Sequence, residues 1–187
     1  GLAAVPYAEL RPLAGSGARG MLSRAFDRRP GDEDYDVLRD EFHALYEQRM
    51  LATTRAFDGI EPLLLRLQQR GLAWGIVTNK ARRFAAPMVQ AMAPLAGAAT
   101  LVCGDCTPHT KPHPAPLLEA ARRLARDPAR CVYVGDDRRD IDAGRAAGMA
   151  TVAAAWGYLG ADAEGRAWNA GHVAATPAEL LNPLGLA

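Results

Sequence analysis

No stretch of this chain comes near the ~20 consecutive apolar residues that a helix needs to cross a bilayer, so a membrane-spanning role is not expected. A surplus of charge is lacking too. Twenty-two basic residues stand against 21 acidic ones, a formal net charge of +1. That argues against a nucleic-acid partner, because neutralising phosphates takes a clustered excess of Lys and Arg. Cysteine is scarce and odd in number, three in 187 residues. Such usage argues against a disulfide framework and suits a reducing cytoplasm. The first residues, GLAAVPYAEL, lack the basic and long apolar segments of a secretory leader. Internal repeats and low-complexity tracts are also missing. What is there, at 49% apolar content, suffices for a full globular core.

The chain divides by pattern near residue 56. Residues 1–56 offer no strand candidate and read as a small all-helical unit. Arg11–Met21, RPLAGSGARGM, reads as a Gly-rich turn leading into a helix through Met21, Leu22 and Phe26. After a polar break at Arg28–Asp34, Tyr35, Leu38, Phe42, Leu45 and Tyr46 recur at helical spacing to about Leu51. From Phe57 helices and strands alternate. Asp58 and Glu61 are spaced as a capping-box variant, with Pro62 in the first turn. Strands are expected at Leu72–Val77, Thr100–Cys103, Cys131–Val134, Met149–Ala155 and, at an edge, His172–Ala174. Thr176 should cap a C-terminal helix. This alternation predicts an α/β fold for residues 57–187, a Rossmann-like three-layer arrangement on a parallel sheet.

The most informative stretch is Cys131–Gly148, CVYVGDDRRDIDAGRAAG. A short apolar run ended by Gly135 reads as a fully buried, parallel strand. Asp136, Asp137, Asp140 and Asp142 follow, with Ile141, Gly144 and Ala147 at helical spacing behind them. The strand thus delivers carboxylates to its C-terminal edge, where open α/β sheets bind ligands. Asp136 and Asp140 lie about one helical turn apart. Close carboxylates repel, and Mg²⁺, which takes one or two carboxylates plus phosphate and water, relieves that. Helix capping accounts for one or two of the four acids, but not for a buried strand that ends in Asp-Asp.

Two further polar sets fall at or just after strand ends, Thr78-Asn79 and Lys111. Each has a plain reading. The first pair could cap the next helix, and Lys111 could be a surface lysine before a Pro-started helix. Together, a hydroxyl, an amide, an ammonium and an acid pair complement a phosphoryl dianion. In the helical unit, Gly15-Ser16-Gly17 could hold an anion on backbone N–H groups or be an inter-helix turn.

In that order, Thr78-Asn79, Lys111-Pro112 and Gly135-Asp136-Asp137-x-x-Asp140 resemble the motifs of the haloacid dehalogenase superfamily of phosphatases, with their spacing fitting along Phe57–Tyr158. The phosphoglycolate phosphatase-like subgroup is the nearest. The resemblance implies that residues 1–56 are part of a helical cap on the α/β core. It implies that Thr78 and Asn79 bind the phosphoryl group, and that Lys111 bridges phosphate and nucleophile, with Thr78 and Lys111 catalytic. Asp136 would bind Mg²⁺, with Asp140 in or near its shell. Gly15, Ser16, Gly17 and Arg19 would face the substrate from the cap. The implied reaction is hydrolysis of a small phosphorylated metabolite, phosphoglycolate or N-acetylmuramic acid 6-phosphate, through an aspartyl-phosphate.

One motif of the family has no counterpart. An Asp-x-Asp pair on the central strand, nucleophile and general acid/base, should precede the cap, and this chain begins at Gly1 already in the cap. The resemblance therefore implies a fragment whose sheet lacks its central strand. A chain that truly starts there would read instead as a catalytically inactive phosphate- or metal-binding module of the same fold.

Cys103-Gly-Asp-Cys106, with His109 and His113, supplies zinc-type ligands. The two-residue spacer between the pairs is far below the dozen or so of zinc fingers, so a structural zinc is the lesser reading. A thiol redox pair is less again. Trp156, Tyr158 and Trp168 read as core packing before site rim.

Overall fold

The computed structural model describes residues 3–158, 168–182 and 184–185. The chain forms two compact units, Gly1–Thr54 and Arg55–Ala187.

Regular structure in the first unit is all helical among the described residues. Helix α1 (Tyr7–Leu10) runs into a 3-10 helix over Arg11–Ser16. Gly17, at φ +58°, breaks that run and opens α2 (Gly17–Phe26). A backbone of that hand is open to glycine at little cost. The expected Gly-rich turn is thus a tight helix ended by a glycine kink. Helices α2 and α3 (Tyr35–Arg49) pack through Ala18, Leu22 and Tyr35, flanked by Leu38 and Phe42.

The second unit starts with α4 (Ile60–Gln69), which buries Leu63 and Leu67. Its N-cap is Gly59, at φ +86°, with no side-chain cap bond. The Asp58–Glu61 capping box does not form. With the cap at Gly59, the position three residues on is Pro62, which has no carboxylate to reach back. Five parallel strands follow: β1 (Gly75–Val77), β2 (Thr100–Val102), β3 (Val132–Gly135), β4 (Ala150–Ala154) and β5 (His172–Ala174). Between them run α5 (Arg82–Ala91), α6 (Ala115–Arg123) and α7 (Arg138–Ala146). β1 is shorter than the apolar run suggests because its partner β2 begins at Thr100. Ahead of Gly75 a single bond, Ala99 N–H to Trp74 O at 2.9 Å, marks the approach.

The sheet is in two hydrogen-bonded pieces, β1-β2 and β3-β4-β5. Ile76 lies opposite Leu101, Val134 opposite Val152, and Ala153 opposite Val173. Strand β3 is half-buried along its whole length rather than fully buried. The reason is that it pairs along one edge, with β4, among the described residues.

Successive residues of β4 face opposite ways, and they define the layers. Val152 packs with Leu63, Ala174 and Leu180. Ala153 packs with Ile141 of α7 and Trp168. On the α6/α7 side, Leu117, Ala143 and Ala147 cover Val77, Tyr133 and Met149. Pro177–Leu181 is a 3-10 turn with Thr176 at its N-cap position, as expected, but the Thr176 side chain accepts no cap bond. Instead the Glu179 carboxylate accepts the Ala175 N–H at 2.9 Å and the Thr176 hydroxyl at 3.3 Å. No described helix is long and apolar enough to cross a membrane.

Candidate active site

Strand β1 hands the chain to Thr78, whose N–H donates to Val102 O at 2.9 Å, extending the parallel ladder by one bond. The chain then turns, and Thr78 Oγ1 accepts the Lys80 N–H at 3.1 Å. The Asn79 amide reaches across to the backbone of Lys111. Its Nδ2 donates to Lys111 O and its Oδ1 accepts the Lys111 N–H, both at 2.9 Å. This reciprocal pair ties the loop after β1 to the segment before α6. Neither Thr78 nor Asn79 caps α5. The N-cap there is Ala81, and the Asp105 carboxylate receives the Arg82 N–H at 3.1 and 3.2 Å. Gly104 lies against this loop, donating its N–H to Lys80 O at 2.9 Å. A Cβ on Gly104 would collide with the Asn79 carbonyl.

Lys111 is half-buried, with 10% of its side chain exposed, which disfavours the surface-lysine reading. Its Nζ lies 2.6 Å from Asp140 Oδ1 and donates to Tyr133 Oη at 2.9 Å and Val77 O at 3.1 Å. An ammonium has three N–H groups, and here each has an acceptor. Asp140 Oδ2 accepts the Asp137 N–H at 3.2 Å, while the Asp137 carboxylate accepts the Arg139 N–H at 2.8 Å. The two form a capping box at the start of α7. Capping and site formation therefore coexist: Asp140 closes the box with one oxygen and meets Lys111 with the other.

Tyr133 stands inside an apolar run, where the hydrophobic pattern does not single it out. The signal that could have found it is a polar tip on a buried strand, which needs a partner. Burial, and after it the charge of Asp140, push the phenol well above its ordinary value. It is a neutral hydroxyl near neutral pH, set 3.2 Å from Val77 O and 3.4 Å from Asp140 Oδ1.

Asp136 follows Gly135 directly at the end of β3. Its Oδ2 accepts the Tyr158 N–H at 2.6 Å. A side chain on Gly157 would collide with the Asp136 carboxylate, so a glycine lets this turn close on it. Asp137 is committed elsewhere, 2.6 Å from Arg139 in an ion pair. The Arg139 hydrogen bond holds the Asp137 carboxyl below its usual value against the opposing effect of burial.

A hard divalent cation needs oxygen donors, and Mg²⁺ is satisfied with one or two carboxylates when water and phosphate complete its shell. Asp136, with one oxygen held by Tyr158, fits that demand. Asp140, with both oxygens engaged, is the lesser donor, so the pair is unequal. Among the described residues no third acid or histidine gathers here, and a cation would draw its remaining ligands from water and substrate.

Gly15, Ser16, Gly17 and Arg19 are exposed and belong to the first unit. Gly15 and Ser16 end the 3-10 helix, Gly17 forms the kink, and Arg19 sits in the first turn of α2. The four-ligand zinc site is not assembled. Ligand atoms of Cys103, Asp105 and Cys106 lie within 4.8 Å of one another, without the histidines. His109 and His113 pack on each other at 4.3 Å between ring centroids. Trp156 and Trp168 pack in the core, and Tyr158 meets Phe57 edge-on at 5.8 Å.

The model of the haloacid dehalogenase-like hydrolase family matches residues 2–154. A phosphoglycolate phosphatase of Xanthomonas campestris pv. campestris (strain 8004) is 42% identical over 183 residues, 98% of this chain and 82% of that protein. An N-acetylmuramic acid 6-phosphate phosphatase of Pseudomonas aeruginosa is 38% identical over 184 residues, 98% of this chain and 81% of that protein. Among solved structures, one described as a predicted phosphoglycolate phosphatase from Haemophilus somnus 129PT shares the fold. Its TM-score is 0.86 at 22% identity, covering 97% of this chain and 84% of that one.

Proposed function

We propose that this chain, which belongs to the haloacid dehalogenase-like hydrolase family, hydrolyses the phosphomonoester of a small phosphorylated sugar or sugar acid. The observation that carries the reading is the half-buried Lys111 ammonium, its side chain 10% exposed. It is held by Asp140, Tyr133 and Val77 O beside the Thr78–Asn79 loop, with Asp136 directly after strand β3. A cation on a low-dielectric floor is suited to the charge of a phosphoryl group.

In this scheme Lys111 offsets the negative charge of the phosphoryl oxygens. Thr78 and Asn79 orient them from the turn after β1. Tyr133 positions the ammonium without taking part in the chemistry. Asp136 would hold Mg²⁺, with Asp140 in or near its shell, and the bound ion would supply a Lewis acid and an orienting template for the phosphoryl oxygens. Substrate recognition by Gly15, Ser16, Gly17 and Arg19 of the helical unit rests on the family resemblance alone. The nucleophile is a carboxylate of the Asp-x-Asp motif that the family resemblance sets ahead of that unit. It takes the phosphoryl group as the alcohol departs with a proton, and water then releases phosphate.

Two substrates follow from the names of the relatives, phosphoglycolate and N-acetylmuramic acid 6-phosphate. The test is release of inorganic phosphate from each by the full-length protein, with Mg²⁺ and after chelation. Release from one of them that chelation abolishes is the expected result. Binding of both without release would return the inactive-module reading.

A further inference from the structure

The turn after β2 carries two thiols that the phosphoryl chemistry leaves unused. Cys103 is buried and Cys106 half-buried. The Cys106 N–H donates to Cys103 O at 3.0 Å, closing a four-residue turn. Such a turn brings its end Cα atoms within about 7 Å, and a disulfide spans about 4.4–6.8 Å. The two sulfurs already lie within 4.8 Å of each other.

The surroundings of the two sulfurs differ. Cys106 Sγ accepts the Cys103 N–H at 3.1 Å and the Arg82 guanidinium at 3.2 Å. Two donors aimed at one sulfur, one of them cationic, favour its thiolate. Burial works to raise the Cys106 thiol, but the Cys103 N–H and Arg82 outweigh it, and the group lies below the ordinary cysteine value. Burial, and then the neighbouring Cys106 charge, push Cys103 up to about 11. One sulfur is thus set to attack and the other to resolve. A zinc ion at the same place would meet the Arg82 cation on the Cys106 sulfur, which disfavours the metal reading.

We propose that Cys103 and Cys106 form an oxidisable thiol pair that couples hydroperoxide to the phosphoryl-binding loop. The Cys106 thiolate attacks hydrogen peroxide, breaking the O–O bond to give a sulfenic acid and hydroxide. The Cys103 sulfur then attacks the Cys106 sulfur, and its proton leaves with the sulfenic oxygen as water. Two electrons pass from the sulfurs to the peroxide, and one S–S bond forms.

The coupling runs through contacts on the same turn. Gly104 N–H holds Lys80 O, and the Asp105 carboxylate holds the Arg82 N–H. Lys80 directly follows Asn79, and Arg82 lies two residues beyond Lys80. Closing the disulfide takes the Cys106 sulfur away from the Cys103 N–H and Arg82 and reshapes the turn that braces the loop. This coupling rests on the phosphatase reading, whereas the oxidation does not.

The full-length protein is exposed to hydrogen peroxide at neutral pH, its remaining thiols are blocked, and it is digested. A peptide carrying both cysteines and lighter by two hydrogens is expected, reversible by a dithiol. Cys131, whose thiol burial pushes up, should stay unmodified as an internal control. Arg82→Gln should slow disulfide formation about tenfold, through the loss of thiolate. Cys106→Ser should leave Cys103 unmodified, and Cys103→Ser should stop at a sulfenic acid that a carbon-acid probe captures. Because Cys103 is buried, Cys106→Ser decides the matter if the other variant does not fold. Phosphate release should fall about tenfold or more in the oxidised protein and recover on reduction, as the loop loses its register. Indifference of both thiols to peroxide, over-oxidation of Cys106 without a disulfide, or stoichiometric zinc surviving chelation would each overturn the pair. A disulfide that forms with phosphate release unchanged would overturn the coupling to the loop.

Discussion

Lys111 Nζ lies 2.6 Å from Asp140 Oδ1, with 10% and 8% of the two side chains exposed. A buried ion pair is weak evidence for stability, because desolvation offsets much of the attraction. What this pair fixes is geometry. It holds the segment before α6 against the first turn of α7, and through Val77 O it reaches the end of β1 as well.

Removing one partner leaves the other buried and uncompensated. Lys111→Ala is expected to lower unfolding stability by about 3–5 kcal/mol and turnover by orders of magnitude. Urea titration checks the first and phosphate release the second. Tyr133→Phe, which removes a hydroxyl among groups that can re-pair, should cost about 1 kcal/mol. An unchanged urea midpoint for Lys111→Ala would restore the surface-lysine reading that the sequence also allowed.

Asp136→Asn keeps an oxygen for the Tyr158 N–H and removes the charge. Its melting temperature should stay close to that of the parent protein. Mg²⁺-dependent phosphate release should be lost, a result read by titrating the ion at fixed substrate. Full activity at ordinary Mg²⁺ would remove Asp136 from the metal assignment.

Asp137 caps α7 and pairs with Arg139. Asp137→Ala should cost about 1 kcal/mol at neutral pH. The Arg139 hydrogen bond depresses the folded-state value of this carboxyl, burial notwithstanding. Its contribution is therefore present above the unfolded value, about 3.9, and disappears as pH falls through the lower folded value. Unfolding curves of parent and variant should converge below about pH 4. A gap that persists in acid would mean that charge plays no part in the cap.

Gly104→Ala drives a Cβ into the Asn79 carbonyl, a backbone group that cannot swing aside. Overpacking of that kind costs about 1–3 kcal/mol. Because Asn79 clasps the Lys111 backbone, the substrate KM should rise along with the loss of stability. A variant with parent-like kinetics would show that the loop moves freely against the turn after β2.

The sequence by itself determined the alternation of helix and strand from Phe57, the edge strand at His172–Ala174, and the arrival of Thr78, Asn79 and Asp136 at strand ends. Hydrophobic period and turn chemistry are local, and they survive reading along one dimension. The tertiary structure decided the pairings. Asn79 binds a backbone 32 residues away instead of capping α5, Lys111 finds Tyr133 at a separation of 22, and Tyr133 finds Val77 at 56. It also set β3 half-buried, because burial of a strand depends on its neighbours and not on its own residues. The physical reason is that apolar pattern says which face turns inward. The partner of each buried polar group is chosen by whichever donor or acceptor the packed segments bring within reach.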